Sequence, residues 1–332
     1  MMDIRKTLAA AFLAAFSYNV ARGQVAVLQM EIDDFRHYTY DVADYSKFAT
    51  QATETTAVNA KNFADRLCFG DIVAINGKPA KGTQVVRVSG VTLRPNPAPG
   101  QSIADIVRNG YFDSILEIMQ ADGTPVGSIS LSGFAGGPPP PGAPLASAES
   151  SAVVTGGTGA FLGVRGEFTL AEPGAPEHLA SVTEDPSNRR TYTTNATHHV
   201  LLHLIPMTWP QVVSTANGPD ILHASDFSLV TSTEPAVADE VLTLLVTGLG
   251  PTTPGIDPGQ PFPASPLQMV NSPVDVTVSG IPAKVLSAAG YPGSTDTYQI
   301  NFQLPSGITP GMASLRISAA WIAGPAVSIA VQ

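Results

Sequence analysis

Short runs rich in β-branched residues, separated by glycine and proline turn signals, recur along almost the whole chain after residue 24. Asn76-Gly77 and Asp122-Gly123 supply the positive φ angles that tight hairpins require. Gly and Pro account for 30 and 29 of the 332 residues, and only 13% of the residues are charged. Coiled coils, helical repeats and charge-rich disordered tails need far more Lys and Glu, so this composition excludes them. The sequence therefore predicts an all-β protein.

The first two thirds of the chain contain seven predicted strands. They cover residues 25–32, 83–93, 111–119, 126–132, 151–155, 166–170 and 197–205. A polar, alanine-rich stretch predicts one helix over 44–64, and a second short helical turn is predicted over 103–109. Four consecutive prolines at 138–141 cannot occupy a central strand, so we expect an exposed loop there.

A second module follows the proline-containing stretch 206–210. Its seven predicted strands cover residues 227–231, 241–247, 274–279, 284–287, 297–304, 313–319 and 326–331. About seven short strands with Gly and Pro turns are typical of an immunoglobulin-like (Ig-like) sandwich. Because a chain of more than ~300 residues is usually divided into domains, we predict two.

The N-terminus has the order of a secretory signal peptide. A basic pair precedes an apolar run over 7–20, and small residues occupy positions 21 and 23. We predict cleavage of residues 1–23 before Gln24, and a protein that is secreted, periplasmic or on the cell surface. The apolar run is shorter than the ~20 residues that a membrane span needs, so we predict no transmembrane anchor.

The chain that remains after cleavage is acidic. The predicted signal peptide holds three of the 17 basic residues and one of the 27 acidic residues, which leaves 14 and 26 and a net charge of −12. Phosphate-binding surfaces carry the opposite charge, so nucleic acid is not expected as a partner. The single cysteine, Cys68, has no partner for an internal disulfide, and we interpret it as a small buried apolar residue.

A cluster of glycines stands out between residues 153 and 168. Its members are Gly156, Gly157, Gly159, Gly163 and Gly166. A dinucleotide-binding fingerprint would need its last glycine at position 162, which is Leu162, and a helix after it. A β-like run follows instead, so we interpret these glycines as a structural turn between two strands.

The segment 153–161, VVTGGTGAF, followed by Gly163 and by RGEF at 165–168, resembles the allene oxide cyclase/dirigent superfamily. In that superfamily such a turn joins two strands of an eight-stranded antiparallel barrel. The resemblance implies a barrel over residues 24–206 and assembly into a homo-oligomer. Plant members cyclise an epoxy fatty acid or direct the coupling of phenoxy radicals.

Several motifs of the C-terminal third occur in the order VTGLGP at 246–251, PGQP at 258–261, VTVSG at 276–280 and YQINF at 298–302. They resemble the Solibacter-type C-terminal domain of secreted acidobacterial proteins. This resemblance implies an Ig-like domain over 218–332, with no assigned enzymatic activity, after a linker over 207–217. The predicted fold is thus all-β, an eight-stranded antiparallel barrel followed by an Ig-like β-sandwich.

Acidic and aromatic residues alternate near the start of the predicted barrel. If Glu31, Asp33 and Phe35 share one strand face, a carboxylate stands beside an aromatic ring at the barrel mouth. A buried carboxylate of this kind can act as a general acid or base, so Glu31, Asp33 and Tyr38 are weak catalytic candidates. The alternative is that these acids are solvated at the surface.

Three histidines lie in the last predicted strand of the barrel. His199 and His203 share one face there and His198 points to the other. His199 and His203 are weak metal candidates, because a zinc site needs further ligands from elsewhere. The alternative is that they are lumen or surface histidines, and no metal or other cofactor is predicted.

Three classes of function are compatible with these features. The first is a non-enzymatic binding or surface-associated protein whose barrel holds a small apolar ligand. The alternative is an isomerase or cyclase that acts in the lumen on a lipid-like or phenolic substrate. The third is an adhesive or matrix protein with acidic, proline-rich surface loops. An inward-pointing carboxylate or Tyr would favour the enzyme, and a barrel filled by Leu, Phe and Ile would favour a structural role.

Overall fold

The computed structural model describes residues 25–41, 64–89, 110–135, 150–170, 178–190 and 197–332. These residues form strands and turns, and the one helical element among them is a 3-10 turn at Asn188–Arg190. Within this part of the chain, no helix has the length and hydrophobicity of a membrane span. The predicted signal peptide, the helical turn at 103–109 and the proline run lie outside the described residues, as does the predicted helix apart from Ala64.

Eight strands of the first 205 residues form a closed antiparallel barrel, as predicted. They are β1 (Ala26–Asp41), β2 (Ala64–Ile75), β3 (Lys78–Ser89), β4 (Gly110–Gln120), β5 (Pro125–Ala135), β6 (Ser150–Gly159), β7 (Arg165–Leu170) and β9 (His198–Ile205). Each strand pairs with the next, and β1 pairs with both β2 and β9, which closes the sheet. The short strand β8 (His178–Leu179) lies parallel to β1 beside Arg36.

The barrel has two different ends. At the junction end lie the turns at 76–77, 121–124 and 160–164, the start of β1 and the end of β9. At the mouth end lie the opposite ends of the same strands. An eight-stranded barrel is just wide enough inside for side chains to fill it. Here fully buried aliphatic side chains fill the middle and the junction end, namely Leu28, Leu116, Ile129, Val154, Leu202 and Leu204.

The sequence did not predict β2. Asp65, Arg66 and Asp71 interrupt its apolar residues, so its composition differs from that of a β-rich run. Its inward positions are nevertheless apolar where the core needs them, as at Cys68 and Ile72. Cys68 is buried in the barrel core.

A bulge in β1 reverses which residues face the barrel interior. Asp34 has a φ of 52°, and β1 has two residues between the paired positions Asp33 and Arg36 where β2 has only one. Before the bulge the even-numbered residues face inward, as at Ile32. After it the odd-numbered residues do, because His37 pairs with the buried Cys68.

The second unit is a curled, sandwich-like sheet. Its strands are β10 (Gln211–Val212), β13 (Ile221–His223), β14 (Val241–Thr247), β15 (Thr252–Thr253), β16 (Met269–Val270), β17 (Val274–Val278), β18 (Ile281–Gly290), β19 (Thr297–Gln303), β20 (Gly311–Ala319), β21 (Ile322–Ala323) and β22 (Val327–Val331). The strands β11 (Ser214–Thr215) and β12 (Gly218–Pro219) form a separate two-stranded sheet. The start of β18 pairs with β17 and the rest with β19, so this strand connects the two faces. An aliphatic core that includes Leu244, Phe302 and Leu315 lies between them.

Two local predictions in this unit differ from the structure. The strand predicted over 227–231 is an irregular segment with one isolated bridge at Leu229. It follows a turn at 224–226, after which Phe227 adopts a φ of 61° and Asp226 accepts hydrogen bonds from Ser228. The linker predicted over 207–217 contains β10, which pairs with β14 and so belongs to the second sheet.

Candidate functional site

From the middle of the barrel towards the mouth end, polar side chains join apolar ones such as Phe112 and Phe168 in the interior. Four polar side chains there are at most 5% exposed, namely His37, Gln84, Ser114 and His198. They come from four different strands and occupy the inward-facing positions of those strands. Interiors are usually filled by apolar side chains, so a set of buried polar ones inside a mainly apolar barrel is a candidate functional site.

Three rings form the centre of this site. The Phe35 ring lies edge-on to the His37 imidazole, with ring centroids 5.4 Å apart. The same phenyl ring is tilted against the His198 imidazole at 4.9 Å. Phe35 thus stands between two buried imidazoles, one from β1 and one from the first residue of β9. Such ring pairs contribute ~0.5–1.5 kcal/mol beyond burial alone and fix the positions of the imidazoles.

Further polar groups extend the site across the barrel wall. Gln84 Nε2 donates a hydrogen bond of 3.3 Å to Ser114 Oγ on the neighbouring strand. Cys68 lies opposite His37 in the β1–β2 ladder, and Arg66 holds the next inward position towards the mouth. The described part of the lumen therefore combines a thiol, a guanidinium and two imidazoles with apolar walls.

This arrangement can hold and orient a small molecule. An imidazole both donates and accepts hydrogen bonds, and histidine is the commonest general acid or base in enzymes. Among the barrel side chains that the structure describes, no Asp, Glu or Tyr occupies an inward-facing position. The titratable groups that face the described lumen are therefore histidine, arginine and cysteine rather than a carboxylate.

The three weak catalytic candidates lie on the outer face of β1. Asp33 accepts a hydrogen bond of 2.6 Å from Thr197 Oγ1, and Glu31 pairs with His199 in the ladder. Tyr38 lies edge-on to Phe69 with ring centroids 5.9 Å apart. Phe35 does not share their face: that expectation is wrong, because the bulge at Asp34 turns Phe35 to the inside.

The histidines of β9 alternate as expected for a strand. His198 is buried inside, while His199 and His203 are on the outer face. Positions four apart on a strand are separated by about 13 Å, too far for both to bind one metal ion. His203 Nδ1 instead lies 3.4 Å from Glu167 Oε1, and the described residues contain no group of three or more ligands that could hold a metal ion.

The glycine cluster belongs to the β6–β7 hairpin, but its assignment to the turn holds only for Gly163: Gly156, Gly157 and Gly159 lie in β6 and Gly166 lies in β7. These two strands are antiparallel neighbours, and Gly159 and Gly163 adopt φ angles of 60° and 73° in and beside the turn. A Cβ atom on Gly157 would lie 2.5 Å from the Phe161 carbonyl oxygen and 2.6 Å from that of Ser128. Gly156 has room for one. The segment packs strand against strand and has no helix N-terminus for a pyrophosphate.

Comparisons with known proteins leave the chain without an assigned family. No family model matches it, and no curated protein matches it. What the chain does must therefore be inferred from its own side chains.

Sequence reasoning found only part of the site. The alternation of β9 correctly separated His198 from His199 and His203, and a buried histidine at the start of an aliphatic run was the available signal. His37 was missed because its inward position depends on the bulge at Asp34. A non-glycine residue with positive φ leaves only a weak mark in sequence, namely that Asp and Asn tolerate it best.

Proposed function

We propose that this chain is a secreted, non-enzymatic binding protein whose barrel holds a small apolar ligand near its mouth end. The observation that carries the proposal is the ring cluster on the inside of the barrel, in which the partly buried Phe35 contacts the buried imidazoles of His37 and His198. Ligand sites are typically apolar pockets with a few polar groups that fix orientation. The cluster supplies both kinds of group.

The rest of the barrel supports this position for the ligand. Aliphatic side chains with no exposed surface, such as Leu116 and Leu204, fill the middle and the junction end and leave no place for a ligand there. A ligand at the mouth end would contact Phe35 with its apolar part. It would exchange hydrogen bonds with the imidazoles.

A lumen-based isomerase or cyclase that acts on a lipid-like or phenolic substrate is the second candidate. The observation that favours it is the pair of buried imidazoles, since histidine is the commonest general acid or base. The outer-face positions of Glu31 and Tyr38 favour the binding protein, because these side chains are not directed at a ligand in the lumen.

The wider setting is also proposed. The resemblance of the glycine hairpin supports kinship with allene oxide cyclase/dirigent-like barrels, which implies a homo-oligomer. The motifs of the second unit support kinship with the Solibacter-type domain, which implies association with the cell surface or matrix. The net charge of the chain supports partners other than nucleic acid.

Native mass spectrometry of residues 24–332 tests the proposal, with a C18 fatty acid and a methoxyphenol as probes. We expect one probe molecule per barrel, and loss of the bound mass in His198→Leu. The matched control is His203→Leu, which removes an imidazole from the outer face of the same strand and should bind like the wild type.

Each other result has a defined meaning. A barrel that binds neither probe, or binds them equally in both variants, overturns the proposed site. A released probe whose structure has changed overturns the non-enzymatic reading in favour of the isomerase or cyclase. The mass of the assembly reports directly whether barrels associate.

A further inference from the structure

Part of the second unit belongs to the hydrophobic core of the barrel. The turn between β20 and β21 reaches the junction end, where Ala320 and Ile322 are 2% and 3% exposed within the barrel core. Trp321 of the same turn packs against this core. So does Trp209, which lies in the segment 206–210 that connects the two units. Apolar contacts of this kind make a continuous core out of two sheets.

The backbone of this turn has a strained conformation, which is held in place by tertiary contacts. Ala320 and Trp321 have φ angles of 49° and 62°, and the turn has two residues between the paired Ala319 and Ile322. Hairpin turns of this geometry are normally built from Gly, Asn or Asp, and a bulky residue with positive φ is a conformational outlier. Such conformations persist where tertiary contacts over-determine them, here the contacts with the barrel end.

Glycines of the second unit permit close backbone contact at the same place. A Cβ atom on Gly250 would lie 3.0 Å from Ala160 Cβ in the β6–β7 turn of the barrel. Side chains on Gly248 and Gly324 would collide with the carbonyl oxygens of Trp209 and Pro210. The segment 206–210 therefore packs against the second unit.

Polar contacts surround these apolar ones. Gln120 Nε2, in the β4–β5 hairpin, donates a hydrogen bond of 2.7 Å to the Asn271 carbonyl oxygen. Lys78 Nζ, beside the β2–β3 turn, lies 2.6 Å from Asp275 Oδ2. All three hairpins of the junction end thus contact the second unit, an arrangement that fixes its orientation as well as its position.

We infer that the second unit is docked as the floor of the barrel, and that its β20–β21 turn and the Gly248–Gly250 segment form the docking surface. The floor closes the junction end of the lumen. This role is separate from surface association, and it stands whether or not the barrel binds a ligand. The glycines of the VTGLGP motif thereby gain a physical function, since one of them contacts the barrel directly.

The two tryptophans of the chain make this inference measurable. Trp209 and Trp321 are the only tryptophans in the sequence, and both pack against the barrel core. Their fluorescence in the full chain therefore reports on the docked junction. We compare Gly250→Val with Gly293→Val, because these glycines have φ angles of 86° and 84° but Gly293 has no neighbour within 4 Å of an added Cβ.

We expect Gly250→Val to shift tryptophan emission to longer wavelength and to split thermal unfolding into two transitions, while far-UV circular dichroism stays that of a β protein. Gly293→Val should keep native emission and a single transition. Identical behaviour of the two variants overturns the inference, as does a wild type whose two units unfold separately. If Gly250→Val fails to fold, Ala160→Leu tests the same contact from the barrel side with the same readouts and the same criteria.

Discussion

The barrel and the second unit have different interiors, although both are made of antiparallel strands. The core of the second unit is made of aliphatic side chains and Phe302, and the buried Thr243 alternates along β14 with the core residues Leu242 and Leu244, so it faces away from that core. The barrel has an equally aliphatic core at its junction end but places His37, Gln84, Ser114 and His198 inside its middle and mouth end. An apolar interior is explained by stability alone. Buried polar side chains are an exception to the usual apolar interior, which is the reason to look for function in the barrel rather than in the second unit.

The largest effect should come from the aliphatic end of the barrel. Leu204→Ala removes a side chain with no exposed surface from the junction end and leaves a cavity in the barrel core. We expect a loss of about 2–5 kcal/mol in the free energy of unfolding, measured by guanidinium denaturation. Ile205→Ala is the control: its side chain is 49% exposed on the outer face, so a similar loss there would contradict the assignment of inside and outside.

The glycine hairpin should show a sharp contrast between neighbours. Gly157→Ala forces a methyl group against the carbonyl oxygens of Phe161 and Ser128, and we expect a loss of about 1–3 kcal/mol. Gly156→Ala meets only the end of the Arg165 side chain at 3.6 Å and should change stability by less than about 0.5 kcal/mol. Chemical denaturation measures the free energy of unfolding of both variants. Equal losses would contradict the close contact of Gly157 with the Phe161 and Ser128 carbonyl oxygens.

The polar pair inside the barrel should behave unlike the aliphatic core. Ser114→Ala leaves the buried Gln84 amide without its hydroxyl acceptor, at a cost of about 1–3 kcal/mol. In the double variant Gln84→Leu/Ser114→Ala no polar group is left unsatisfied, so its loss should be smaller than that of Ser114→Ala alone. A double variant that is less stable than the single one would show that Gln84 has a structural role of its own.

The smallest effect concerns a histidine near the surface of the second unit. His223 Nδ1 lies 2.5 Å from Glu240 Oε1 and Nε2 lies 3.3 Å from the Glu234 carbonyl oxygen. Both partners are acceptors, so only the doubly protonated ring donates to both. Partial burial works to lower the pKa of His223, but the hydrogen bonds to Glu240 and Glu234 outweigh it and the net pKa is raised.

The pH dependence follows from that direction. A raised folded-state pKa means that the stabilisation is fully present below the unfolded-state value of about 6.5 and is lost as the pH rises through the folded-state pKa. The difference in Tm between wild type and His223→Gln should therefore be larger at pH 5.5 than at pH 8.5. It should correspond to no more than about 1 kcal/mol, as for other ion pairs near the surface. A difference that grows with pH would refute the assignment.

Much of the fold was predictable because strand alternation is a local property. Most predicted strands overlap observed ones, and the hairpin turns at Asn76-Gly77 and Asp122-Gly123 are where their residue types require them. β2 was missed because its charged residues hide an apolar inner face. The strand predicted over 227–231 was wrong because the positive φ of Phe227 and the hydrogen bonds from Ser228 to Asp226 make the start of this segment irregular.

The candidate site was predictable only in part, because inside and outside depend on continuous alternation. One extra residue at Asp34 exchanges the two faces of β1, so Glu31 and Asp33 lie outside while Phe35 and His37 lie inside. No period-2 pattern signals such a bulge in advance. β9 has no bulge, and there the sequence alone separated His198 from His199 and His203 correctly.

By itself, the sequence determined the all-β class, the order of most strands and the acidic charge, because residue type and spacing along the chain decide these. The tertiary structure decided which strands meet to close the barrel, which side chains enter the lumen, and how the Ala320-Trp321 turn reaches the junction end. Those outcomes depend on contacts between residues far apart in the chain. A one-residue bulge or the packing of two units changes them without changing the local pattern from which strands are predicted.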